Sequence, residues 1–252
     1  MGFDFGGRIP ELLFGIHMGA PFFYYIVAVL VTTPVVLLLL TLIGMKVSFD
    51  NRKKWVYPVL LIWFFAPFLM SFFHIRQHMV RYIIEFYAPL SLLCAIGFEY
   101  ISSEYLKKSW KRYVLAIPLF LYLFIILVKI TPFYMDYFNE LVGGTKTVYE
   151  KKLFFLGWWG EGLKDGGNYV ISHAKKNDAI GLAINPNNNV LPKRDDVHYE
   201  NFNEKKRYAY VLVNTFMVTR IGFDEAVLQK EYNLVYTVVA DGAEFVHVYK
   251  HK

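Results

Sequence analysis

The chain has 252 residues, of which 56% are apolar and 19% aromatic, and its mean hydropathy is +0.32. Ordinary soluble domains hold roughly 45–50% apolar residues, so a wholly soluble globule is disfavoured, and so much apolar surface excludes a disordered chain. The net charge of +6 is unevenly placed: residues 1–131 carry 12 Lys/Arg against 6 Asp/Glu, and residues 132–252 carry 15 against 15, which is a membrane-protein signature and not a nucleic-acid-binding face.

In chain order, four stretches approach the roughly 20 apolar residues that cross a bilayer. They run over about 22–44, 55–73, 82–101 and 113–130. Each contains proline (Pro34; Pro58 and Pro67; Pro89; Pro118), which membrane helices tolerate when neighbours re-satisfy the freed backbone groups. None of them is expected to be a signal peptide, since no short basic start and small-residue cleavage site precede the first in this sequence. Segments 45–54 and 102–112 together carry eight Lys/Arg, against Arg8, Arg76 and Arg81 on the other side. The lysine-rich loops are therefore expected in the cytoplasm, with the N-terminal residues and everything after Ile130 extracytoplasmic.

Residues 132–252 read as a small α/β domain. Trp159, Leu163, Gly167, Val170, Ile171 and Ala174 recur at helical spacing over 159–175. Runs at 178–184 and 208–214 predict strands, 223–230 a short helix, and 234–239 with 244–249 a hairpin across Asp241-Gly242. The expected fold is thus a polytopic α-helical membrane protein of four transmembrane helices (1–131) followed by a small extracytoplasmic α/β domain. The single cysteine, Cys94, excludes a disulfide framework and a cysteine-built zinc site.

The loop entering the third span holds His74, Arg76, His78, Arg81 and Tyr82. Cations on the outer side run against the positive-inside bias. One account pairs Arg81 with Glu85, a turn further on, and sets Arg76 against lipid phosphates. The other is an anion site, since arginine presents a planar fork that suits phosphate. His74 and His78 also have the spacing of two helical zinc ligands, but no acidic residue lies between them. A second cluster, His17-Met18-Gly19-Ala20-Pro21 and the aromatics to Tyr25, sits at the outer mouth of the first span. A third, Gly157-Trp158-Trp159-Gly160-Glu161-Gly162, lacks dinucleotide-loop spacing and reads as a tightly packed helix start.

Four motifs in this order carry a resemblance: His17…Gly19-Ala20-Pro21…Tyr24-Tyr25, Arg81-Tyr82 before a proline-containing span, the Tyr137–Gly144 segment, and Trp159-Gly-Glu-Gly-Leu-Lys. The chain resembles the C-terminal part of the GT-C membrane glycosyltransferases of family 39, the dolichyl-phosphate-mannose protein mannosyltransferase-like group. Many relatives read Asp-Trp-Gly-Gln where this chain has Trp158 to Glu161.

The resemblance implies transfer of a sugar, with inversion, from a polyprenyl-phosphate donor to a protein, lipid or glycan acceptor at the outer face of the cell membrane. Arg81, Arg76, His78, His74, His17, Tyr82 and Glu85 would form the substrate-binding side, because the departing lipid phosphate needs cations. The acceptor hydroxyl needs a base. In the family that acid lies in the first extracytoplasmic loop, which Asp4 and Glu11 do not match. The expectation is therefore a C-terminal portion without a catalytic residue of its own, with a partner chain or a missing N-terminal segment supplying further spans. No metal, cofactor or nucleic acid is implied. The competing reading is a non-enzymatic four-span anchor displaying an α/β binding or assembly domain. A transporter is the weakest, since no internal symmetry is visible.

Overall fold

The computed structural model describes residues 10–71, 80–105, 109–184 and 190–252. It opens on a feature the hydropathy does not announce. Strands β1 (Pro10–Leu13) and β2 (Ile16–Gly19) pair antiparallel across Phe14-Gly15, both at positive φ, the two-residue turn that matches strand twist. The Gly15 amide donates to the carbonyl of Leu153 at 3.0 Å, so this hairpin is stitched to the C-terminal half.

The expected four-span bundle followed by a separate domain is corrected. The first predicted span is two helices, α1 (Tyr24–Thr32) and α2 (Val35–Asp50), bent by 118°. Thr33 is extended, as a residue before proline is driven to be. The second, α3 (Val56–Ser71), has 16 residues, with an apolar part, Val56–Leu69, short of bilayer thickness. A 3₁₀ turn, Val80–Phe86, leads into α4 (Tyr87–Tyr105), and α5 (Ser109–Ile130) follows. Among the described residues two helical stretches are long and apolar enough to cross a membrane, Ile83–Glu104 and Tyr113–Ile130, or three if the bent pair counts as one.

Helices α2 and α4 touch backbone to backbone. A Cβ at Gly44 would stand 1.9 Å from the Leu93 carbonyl oxygen, and one at Gly97 would stand 2.1 Å from that of Leu40. Between them Thr41 Oγ1 and Cys94 Sγ are hydrogen-bonded at 3.0 Å, and Cys94 Sγ donates across to the Leu37 carbonyl at 3.2 Å.

After two 3₁₀ turns (Tyr134–Asp136 and Glu140–Val142) come α6 (Gly144–Glu150) and α7 (Leu163–His173). The rest is β3 (Ala179–Ala183), β4 (His198–Asn201), β5 (Tyr210–Asn214), α8 (Thr215–Arg220), α9 (Ala226–Gln229), β6 (Tyr232–Ala240) and β7 (Ala243–His251). The five strands lie in the order β4-β3-β5-β7-β6. The first three are mutually parallel, and β7 runs antiparallel to both β5 and β6. Asp241-Gly242, at positive φ, makes the predicted hairpin turn. One core cluster joins Tyr24 and Val29 of α1, Phe86, Leu90 and Leu93 to Phe133, Phe138, Phe154, Phe245 and Val248. The sheet and the helices thus share a core.

Candidate functional site

The broken helix creates the site. Ending α1 at Pro34 orphans its last carbonyls, and Asn139, 1% exposed, satisfies them. Its Nδ2 donates to the carbonyls of Leu30 and Thr33, both at 2.6 Å, and its backbone amide donates to Val31 at 2.8 Å. Its Oδ1 accepts from the Leu141 amide at 3.0 Å. The 3₁₀ turns Val80–Phe86 and Glu140–Val142 both pack on α1. The second and third motif segments therefore adjoin α1, whose first residues belong to the first motif, and Trp159 of the fourth lines a cavity with Tyr24, Ala28, Val31 and Thr32 of α1.

A narrow cavity of about 30 Å³ opens there, lined among others by Glu11, Tyr24, Thr32, Asp136, Trp158 and Trp159. Asp136 is 3% exposed. Its Oδ1 accepts from the Gly157 amide at 2.9 Å, while Oδ2 has no hydrogen-bond partner among the described residues. Burial first, and the Glu161 carboxylate second, push its carboxyl well above the usual range, against the pull of the Gly157 amide. Glu161 is also raised by burial, although the Trp159 amide donates to its Oε2 at 2.8 Å. The half-buried Glu161 carboxylate, near the buried Asp136, adds to the difficulty of ionising it. A proton retained on Asp136 belongs on Oδ2, leaving a donor at the cavity wall.

Beside the cavity, Phe155, Trp158 and Phe216 form an aromatic cluster with Leu12. The Arg220 guanidinium lies over the rings of Trp158 and Phe216, at 4.6 and 5.4 Å from their centroids. Burial lowers its proton affinity, while the charge of Glu11 supports it. Trp158, where many relatives of the resembled family have Asp, is thus an aromatic seat for an arginine. Downstream, a Cβ at Gly166 would sit 2.8 Å from Val246 Cγ1, consistent with the close packing expected of these glycines.

Of the sequence-predicted site residues, His17 lies on β2 with its ring 5.8 Å from that of Phe155. Arg81 and Tyr82 belong by backbone to the 3₁₀ turn against α1; their side chains lie outside the described part, as do residues His74, Arg76 and His78 altogether. Glu85, in the same turn, is exposed. Among the described residues no three His, Cys, Asp or Glu converge as metal ligands. Sequence reasoning missed Asp136 and Arg220, and it held Asn139 only as a member of the Tyr137–Gly144 motif, without a role. The available signal was their type: a lone acid and an Asn just beyond an apolar stretch. Glu11 and Glu161 were noticed but given no role in the site.

No protein-family model, curated protein or solved structure matches the chain.

Proposed function

We propose that this chain is part of an integral-membrane glycosyltransferase that takes its sugar from a polyprenyl-phosphate carrier at the membrane surface. The observation that supports this most is that the backbone turns of the second and third motif segments pack on α1, while Trp159 of the fourth lines a cavity with α1. These are the segments that carry the family resemblance, and they come from places more than 100 residues apart. In this reading Arg81 and Arg76 take up the charge of the departing lipid phosphate, and His17, beside Phe155, and Arg220, over Trp158, stand next to residues that line the cavity at Asp136. Asp136 and Glu161 hold a proton beside it, and the acceptor's base comes from a further segment or chain. The cavity at Asp136 has room for about one water, so it serves proton placement, and the sugar lies outside it.

The test is binding of a polyprenyl phosphate to the detergent-solubilised chain. A bidentate arginine contact to phosphate contributes about 1.5–3 kcal/mol, so Arg81→Ala should weaken binding roughly 10- to 100-fold. Arg81→Lys should recover only part, because the fork is lost. Unchanged affinity in Arg81→Ala, Arg76→Ala and the double variant would favour the non-enzymatic membrane-anchor reading instead.

A further inference from the structure

A second cavity, of about 340 Å³, lies where α5 ends. Its charged lining is balanced: Lys129 and Lys146 supply two cations, Glu140 and Asp241 two carboxylates. Ile126, one turn before Lys129 on the same face of α5, gives it an apolar side. Its position is held by three ties. The Asp241 amide, at the tip of the β6–β7 hairpin, donates to the Lys129 carbonyl at 3.1 Å. The Tyr122 hydroxyl donates to Glu140 Oε1 at 2.7 Å. The side chain of Lys146 lies against Gly242 of the hairpin tip. Lys146 also reaches Glu150 at 3.6 Å, but that pair is more than half exposed and such pairs hold an ammonium weakly.

Lys129 closes the apolar stretch Tyr113–Ile130, of which only 6% is buried within the protein. If that stretch crosses the bilayer, the cavity stands at the boundary where headgroups begin, with lipid chains along the bare face of α5. A plain anion would meet two carboxylates here, and a plain cation two ammonium groups. The lining suits a ligand carrying both charges. We infer that this cavity is a headgroup site for a phospholipid with a primary-amine zwitterionic headgroup, its phosphate on Lys129 and Lys146 and its ammonium donating to Glu140 and Asp241. A quaternary ammonium has no N–H to donate, and an uncharged glycerol headgroup leaves both carboxylates unmatched. The inference rests on the membrane-spanning reading of Tyr113–Ile130 and is independent of sugar transfer.

The experiment reconstitutes the full chain into nanodiscs of mixed phosphatidylethanolamine, phosphatidylcholine and phosphatidylglycerol, and measures lipids retained after detergent extraction by native mass spectrometry. Phosphatidylethanolamine should be enriched about tenfold over each of the others, the worth of one charge-assisted hydrogen bond. Glu140→Gln with Asp241→Asn should abolish that preference while leaving phospholipid retention intact. Lys129→Ala with Lys146→Ala should lower retention of all three. Enrichment of phosphatidylglycerol instead, or a retention pattern that none of these variants alters, would overturn the site. Failure of wild type to enter the nanodiscs would overturn the spanning reading and the site with it. Polyprenyl-phosphate binding, measured separately in detergent, is expected to survive Lys129→Ala, Lys146→Ala and Asp241→Asn, none of which lies in the four motif segments.

Discussion

His247 is held on both sides. Its Nδ1 meets Glu225 Oε1 at 2.7 Å and its Nε2 meets Glu244 Oε2 at 2.8 Å. Two carboxylate partners require two ring N–H groups, and that is the imidazolium. The tyrosines fix the carboxylates in turn: the Tyr149 hydroxyl donates to Glu244 at 2.6 Å and that of Tyr249 to Glu225 at 3.1 Å. Burial is the largest single influence on His247 and opposes its charge, but Glu225 and then Glu244 together outweigh it, so its pKa lies above 6.5. Glu244 is lowered, chiefly by the Tyr149 hydroxyl. The signs follow from linkage. The histidine's contribution is fully present below its unfolded pKa and is lost as pH rises through the raised folded value. That of Glu244 is present above 4.5 and is lost as pH falls through its lowered value. Thermal unfolding of the chain in detergent should therefore be most stable in mildly acidic buffer and weaken above neutrality. His247→Gln should flatten the alkaline side of that profile; an unchanged alkaline slope would show that other groups set it. Removing one partner of a buried charge pair costs up to about 3–5 kcal/mol, so Glu225→Ala, which leaves the imidazolium only Glu244, should also lower stability in mildly acidic buffer.

At the level of elements, the α2–α4 crossing is the contact least tolerant of change. Helix backbones approach this closely only where a side chain is missing, and here both Gly44 and Gly97 face a carbonyl oxygen of the other helix. Gly97→Ala forces the helices apart and stretches the Thr41–Cys94 link between them. Overpacking of this kind costs typically 1–3 kcal/mol, whereas Ser91→Ala, an exposed position on α4 bonded only to its own helix, should stay within about 0.5 kcal/mol. Denaturation of the two variants in mixed micelles measures the difference, and equal midpoints would mean that the crossing is not rigid. What the sequence showed of these elements depended on where each element's partners lie. The runs at β3, β5, β6 and β7 are apolar enough to be read locally, and β5 is buried along its whole length. Polar β4, His-Tyr-Glu-Asn, is an edge strand and carries no such signal. Proline was visible in every predicted span, yet only Pro34 ends a helix; Pro67 and Pro118 stay inside theirs. The difference is Asn139, which accepts the chain break by capping α1 from 109 residues away. No local pattern contains that partner. The candidate site was legible to the same degree: its motifs could be found one by one, but the tie of Asn139 to α1, the contact of Asp136 with Gly157 and the seat of Arg220 on Trp158 join residues far apart in sequence.

For the whole molecule, the shared core sets where the C-terminal half can be cut. The rings of Phe133 and Phe245 stand 4.7 Å apart, and Phe138 stacks on Phe154 at 5.1 Å. Val148 of α6 is fully buried, and Gly157 is tied to Asp136. Residues 132–152 thus cover apolar surface that a fragment beginning at Leu153 would expose, and Met135, Asp136 and Phe138 of this segment line a cavity with Trp158 and Trp159. Burying a side chain such as Phe or Val stabilises by about 1.5–3 kcal/mol, and part of the Phe138 contribution depends on α1, which either fragment lacks. A fragment of residues 132–252 should accordingly unfold cooperatively, and one of residues 153–252 should be less stable by roughly 2–5 kcal/mol. It should also bind a hydrophobic dye that the longer one excludes, because an apolar patch left open is what such dyes report. Calorimetry and urea denaturation of the two fragments decide the matter. Equal stability would make residues 132–152 a linker and place the start of the unit at Leu153. If neither fragment unfolds cooperatively, the five-stranded sheet owes its fold to α1 and the β1–β2 hairpin, and the two halves of the chain form one cooperative structure.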